Sequence, residues 1–194
     1  MNMFQIDSEH FGHFGGSVKV ISPTQKFSDS RGAFYVDFRE DDFRDLGLPY
    51  NFVQCNSTRS AKGVIRGLHF QLEPPMGKVL HVTSGRAYLV TVDIRRHSPT
   101  FLQWHGIEAT AINRIQVWAP SGFARGYCAL EDNTDVQYKC TGYFDAAGDD
   151  AIAYDDPDIR VDWPKVKLFG ADWGPLLSAR DRAAKTLRER GMLV

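Results

Sequence analysis

Lys62-Gly63-Val64-Ile65-Arg66-Gly67-Leu68-His69-Phe70-Gln71-Leu72-Glu73-Pro74-Pro75-Met76-Gly77-Lys78 is the stretch that decides how this chain is read. Val64, Ile65, Leu68 and Phe70 give its first half the content of a β-strand. Glu73-Pro74-Pro75-Met76-Gly77 is a turn, and Lys78 opens a second β-branched run. From Val64 to Lys78 the stretch is therefore a hairpin that carries two cations, Arg66 and Lys78, and the imidazole of His69. Strict alternation would put Arg66 and His69 on opposite faces, because they are three residues apart. Gly67 lies between them, and a glycine inside a strand marks a bulge that would turn both side chains to one side. A strand histidine is also commonly a half-buried structural residue, and a lysine beside a turn is commonly solvated.

The same short β pattern continues on both sides of the hairpin. Residues 18–21 read as a strand, 34–38 as another, 40–46 as a brief helix with acidic residues at its front and Gly47 past its end, and 52–56 as a strand. Strand-like runs then follow at 64–70, 78–83, 87–94, 101–108, 114–119, 126–130, 134–140 and 151–154. Short strands at this spacing, with no helices between them, make an all-β fold of the jelly-roll or cupin-like barrel type rather than a parallel α/β sheet. The tail, 178–190, is predicted as a longer helix with Ser178 as its cap, Asp181 closing a capping box and Leu187 as its main apolar contact. One domain over residues 1–194 is expected from the length.

The 23 basic and 24 acidic residues nearly cancel, so no overall field draws nucleic acid or an anionic membrane. An anionic ligand must be met by local arginines and lysines. Cys55, Cys128 and Cys140 are odd in number and far apart, and suggest neither a disulfide framework nor a zinc site, which points to a reducing cytoplasm. The start has neither a basic leader nor an apolar run, and no stretch reaches spanning length, so export and membrane insertion are not expected.

A jelly roll raises the question of a metal. Of the six histidines, His10, His13, His69, His81, His97 and His105, none forms a His-x-His pair. In Pro120-Ser121-Gly122-Phe123-Ala124-Arg125 an arginine stands where metal cupins usually supply a ligand, and its guanidinium stays protonated. The expectation is a barrel without metal and with an anionic ligand. An imidazole, an amine, a phenol and arginines suit proton transfer next to a carbonyl: a base removes the α-proton, a cation holds the enolate oxygen and an acid returns a proton. His69 can be the base and Lys78 the cation. Tyr138 shares a strand face with Val136 and Cys140 and can be the acid, or a core tyrosine bonded to backbone.

Taken together, Phe52-Val53-Gln54-Cys55-Asn56, residues 62–71, Gly77-Lys78, Val92-Asp93-Ile94-Arg95, Ser98-Pro99-Thr100-Phe101, Gly122-Phe123-Ala124, Tyr138-Lys139-Cys140-Thr141, Asp155-Asp156-Pro157-Asp158, Asp162-Trp163-Pro164 and Leu177-Ser178-Ala179-Arg180-Asp181 resemble the dTDP-4-dehydrorhamnose 3,5-epimerase family. The resemblance runs in order from about residue 29 to 181. It implies a cofactor-free epimerase that inverts carbon 3, carbon 5 or both of a nucleotide-diphospho-4-keto-6-deoxy sugar, built as a dimerising cupin-like jelly roll; the alternatives are single-centre action on a CDP- or GDP-linked sugar and a non-catalytic sugar-nucleotide-binding jelly roll. By position it implies His69 as base, Asp181 as the carboxylate that orients it, Lys78 at the keto oxygen and Tyr138 as acid. Arg66, Gln54 and Asn56 fall at the diphosphate and nucleotide, and Arg31 and Phe34 in a segment that reaches a neighbouring subunit's site. Val36, Leu89, Phe144 after Tyr143, and Arg125 depart from the family pattern. Tyr143 keeps an aromatic face for the substrate, and Arg125, in place of the histidine of Gly-Phe-Ala-His-Gly, adds a cation to the pocket.

Overall fold

The computed structural model describes residues 2–7, 14–166 and 174–193. Two antiparallel sheets face each other. One has the order β1 (Phe4–Asp7), β2 (Lys19–Pro23), β10 (Gln116–Ala119), β7 (Lys78–Ser84), β12 (Thr134–Cys140) and β5 (Gln54–Ser60). The other has the order β13 (Asp149–Ala151), β6 (Ile65–Gln71), β11 (Phe123–Ala129), β8 (Arg86–Asp93) and β9 (Trp104–Thr110). Sequence neighbours repeatedly fall in different sheets, as in a jelly roll, so the all-β barrel expected from the pattern is the fold that forms. A separate hairpin, β3 (Phe27–Asp29) with β4 (Gly32–Phe34), is exposed along its whole length.

Alternation along each strand divides the apolar residues among three cores. Between the sheets, Val20, Leu80, Val82, Val117 and Val136 pack against Leu89, Ile107, Phe123 and Tyr127. Leu89 is thus an ordinary core residue. Outside the five-stranded sheet, Ile65, Leu68, Phe70, Val90 and Val92 are covered by Ile152, Ile159, Trp163 and Leu187. Outside the six-stranded sheet, Ile21 and Val79 are covered by Phe43 from α1 (Glu40–Asp45), by Leu48, and by Val36, Phe38 and Phe52 at the margin.

Three expectations are corrected. Residues 34–38 do not form a strand: β4 stops at Phe34, and Val36 and Phe38 instead leave the hairpin to pack on Phe43. The terminal strand β1, absent from the sequence reading, pairs with β2 over its four residues. The tail helix is a single turn, α2 (Ala179–Arg182), rather than a run to residue 190. Tertiary contacts end it early. The Leu187 N–H is taken by Asp156 Oδ2 at 2.7 Å, Lys185 bridges Ile152, and the turn over residues 187–191 buries Leu187 completely in the outer core. His10 and His13 lie outside the described residues. No described helix is long and apolar enough to cross a membrane.

Candidate active site

The site begins with the irregular pairing of β6. Arg125 of β11 lies opposite His69, yet Tyr127 lies opposite Arg66, so three steps along β6 match two along β11. Gly67 supplies the extra residue. Its φ is +125°, and a Cβ there would fall 2.6 Å from Gly126 Cα and 2.7 Å from the Arg125 carbonyl oxygen, so no other residue fits. This is the bulge the sequence implied, and it brings Arg66 and His69 onto one pocket wall.

The facing wall comes from the other sheet. Lys78 and Leu80 of β7 and Tyr138 of β12 point inward by parity, with Tyr138 opposite Leu80 and Cys140 opposite Lys78. The pocket is closed by Thr58, Arg125, Gly126 and Tyr127, and holds about 530 Å³ of empty space, part of it open to solvent. Lys78 Nζ lies 5.3 Å from the centroid of the Tyr138 ring.

Asp181 arrives from α2. Its backbone N–H donates to the Ser178 hydroxyl at 3.0 Å, which is the cap expected of Ser178. The carboxylate also reaches the imidazole of His69. Oδ1 is 2.6 Å from His69 Nε2, and Oδ2 accepts from the Ser178 hydroxyl at 2.7 Å. Helix cap and imidazole partner are therefore one residue. Burial would push the Asp181 carboxyl up, but hydrogen bonds from His69 and Ser178 outweigh it and hold the group below the usual carboxylate range. An ionised carboxylate on Nε2 keeps the proton there and leaves Nδ1 as the basic nitrogen of His69.

Burial, and then the charge of Arg125, lower the affinity of Lys78 for its proton. Burial raises the Tyr138 phenol, with Cys140 adding to the shift, so the phenol holds its proton at neutral pH. Arg66 is fixed by donation from Nε to Ser60 Oγ at 3.1 Å. Ser60 and Thr58 in turn meet the Tyr127 hydroxyl at 2.9 and 2.8 Å. Neither Thr58 nor Tyr127 stands out in the sequence. Parity is the signal that finds both, since they stand two residues beyond Asn56 and Arg125 on the same inward faces.

The expected binding residues divide. Arg66 and Arg125 line the pocket. Asn56 is the cross-strand neighbour of Tyr138, and Gln54 donates to it at 2.9 Å, so both sit beside the pocket. Tyr143 is exposed, and its carbonyl accepts from Gln71. Arg31, paired with Asp29, and Phe34 lie on the β3–β4 hairpin and line a separate surface groove, not the pocket. Among the described residues no group of three or more His, Cys, Asp or Glu side chains gathers as a metal-holding set.

Residues 16–189 match the family model described as dTDP-4-dehydrorhamnose 3,5-epimerase. A relative of that name from Neisseria gonorrhoeae is 43% identical over 169 residues, covering 87% of this chain and 49% of its own; the chain spans about half the length of that relative. One from Methanothermobacter thermautotrophicus is 41% identical over 170 residues, covering 88% of this chain and 90% of its own. The crystal structure of dTDP-6-deoxy-D-glucose-3,5-epimerase from Legionella pneumophila, in complex with dTDP-4-keto-L-rhamnose, superposes with a TM-score of 0.85 at 37% identity. It covers 98% of this chain and 97% of that one. With the barrel, the His69–Asp181 pair and the lysine and tyrosine on the facing wall already in place, these similarities fix the assignment: the chain belongs to the dTDP-4-dehydrorhamnose 3,5-epimerase family.

Proposed function

We propose that the protein is an epimerase that inverts carbon 3 and carbon 5 of a dTDP-4-keto-6-deoxyhexose without a cofactor. The observation that carries the reading is the placement of His69 and Tyr138 on opposite walls of one pocket, with Asp181 behind His69 and Lys78 beside Tyr138. Inversion needs a proton removed from one face of a carbon and returned to the other, and the two sheets supply one group each. His69 takes the α-proton, and Asp181 stabilises the resulting imidazolium. The electron pair left on carbon spreads onto the 4-keto oxygen, where the Lys78 ammonium donates to it. Tyr138 returns a proton from the far side and recovers one from solvent, to which the His69 imidazolium gives up the proton it took.

Arg66, with Gln54 and Asn56 at the margin, binds the diphosphate and nucleotide, and the exposed ring of Tyr143 offers the substrate an aromatic face. The exposed hairpin with Arg31 and Phe34 is available to reach the site of a second copy in a homodimer. The whole chain works as one unit in the cytoplasm. CDP- and GDP-linked sugars are not favoured, because the relatives and the solved complex are named for dTDP sugars. Proton NMR of the protein with dTDP-4-keto-6-deoxyglucose in deuterated water tests the reading. Loss of the signals at carbons 3 and 5 supports it, loss of one signal reduces it to a single-centre enzyme, and loss of neither overturns it.

A further inference from the structure

Arg125 is buried, with 4% of its surface exposed, and its hydrogen bonding is lopsided. Nη2 donates to three backbone carbonyls, of Met76 at 2.9 Å, Ala119 at 3.1 Å and Pro120 at 2.6 Å. Nε and Nη1 are buried with no partner among the described residues. No carboxylate among the described residues pairs with it, whereas Arg95, Arg114, Arg180 and Arg190 are held by Asp93, Asp37, Asp149 and Asp150. Burial draws the guanidinium down to about 10, which still leaves it charged at neutral pH. A buried, unpaired cation is costly and is retained where something else meets it.

What it faces is the pocket, and there it lies next to Lys78, which also forms no ion pair among the described residues. The charged and titratable groups around Lys78 are Arg125 from β11, Cys140 and the Tyr138 ring, 5.3 Å away, from β12, Asp149 from β13 and Arg180 from α2. After burial, Arg125 is the strongest of them, and Asp149 is already paired with Arg180. The pocket thus holds two fixed positive charges from its two walls, Lys78 facing His69 and Arg125 beside His69 on the neighbouring strand, and neither forms an ion pair among the described residues. Water and a neutral ketone relieve such a pair poorly, and an enolate oxygen relieves it well.

We infer that Arg125 is a positioning residue of the reaction, a second fixed cation that makes Lys78 a stronger hydrogen-bond donor to the enolate oxygen. The inference rests on the epimerase reading for the identity of that oxygen, while its physical content is the coupling of Arg125 to Lys78. Two measurements test it. Carbamylation of each lysine by cyanate, followed by peptide mass spectrometry across pH 6 to 10 on roughly unit steps, reports the proton affinity of Lys78 without any turnover. In wild-type protein Lys78 reacts with its midpoint below that of Nα-acetyl-lysine amide. In Arg125→His, which is neutral above pH 8 or so and places the family residue in this position, the midpoint rises by about one pH unit. Arg125→Lys keeps the wild-type value.

The alkaline limb of the kcat/KM profile moves upward by the same amount in Arg125→His, and kcat at neutral pH falls about tenfold. A purely structural role would lower activity without moving that limb. Equal Lys78 midpoints in wild type and Arg125→His overturn the inference, whether or not the protein epimerises any sugar. So does a wild-type Lys78 midpoint equal to that of the model amine, a result that needs no variant to fold. Failure of deuterium to enter the keto-sugar instead removes the epimerase reading.

Discussion

Strands β7 and β12 carry two buried polar clusters back to back, and the clusters behave differently. On the inner face Lys78 and Tyr138 look into open space, across from His69 with a carboxylate 2.6 Å away. On the outer face His81 lies in register with Gln116 and Gln137, 1% exposed, and neither of its ring nitrogens has a partner among the described residues. Asp37, Arg114 and Lys139 are close enough to act on it, but Asp37 is already paired with Arg114 and accepts from Gln116 through its carbonyl. Burial pushes His81 down to about 4. An imidazole becomes a base when a carboxylate can stabilise its charged form and a substrate can reach it. Buried without either, it stays neutral.

The largest effect expected from breaking this contrast is in rate. His69→Ala removes the base and lowers kcat/KM by about three to four orders of magnitude, with little change in melting temperature, because the side chain borders open space. Steady-state epimerisation and a thermal melt check both halves. Asp181→Asn keeps the shape but not the charge that stabilises imidazolium, so kcat falls about a hundredfold or more. Its Ser178 cap survives, and circular dichroism stays that of the parent.

Tyr138→Phe separates the two walls. Proton removal by His69 persists, so deuterium still enters the substrate, while inversion falls by roughly ten- to a hundredfold. Comparing the two rates in heavy water decides it, and equal losses would break the assignment of base and acid to opposite faces. The smallest effect on activity belongs to the outer cluster. His81 binds its proton near 6.5 when unfolded and near 4 when folded, so the unfolded chain holds more protons between those values. Stability is complete above about pH 6.5 and is lost as pH falls toward 4, by up to about 3 kcal/mol. Denaturant midpoints measured across that window flatten in His81→Leu, while activity at neutral pH is unchanged.

How far the sequence can be read depends on the length scale of the feature. The bulge at Gly67 is legible because a glycine within a strand and a three-residue spacing conflict locally, and the conflict has one resolution. Parity likewise puts Tyr138 inward with Val136 and Cys140. The tail misleads because its polar, alanine-rich composition favours helix. What decides it, the grip of Asp156 on Leu187, comes from thirty-one residues away. The charge of Arg125 is plain in the sequence, but its cage of Met76, Ala119 and Pro120 carbonyls is not, since backbone acceptors carry no residue signature. Arg31 and Phe34 stay outside the pocket because the short hairpin that carries them forms a sheet of its own, apart from the two that build the barrel.

Asp181 stands 112 residues after His69, on a segment that reaches the barrel through the parallel bridge of Leu176 to Val64. The imidazole and its carboxylate are therefore held together only as firmly as this tail is held to the barrel. A local opening of residues 174–187 would leave both sheets and the pocket standing while it took the carboxylate away from His69, so one docking equilibrium sets what share of the molecules carries the pair.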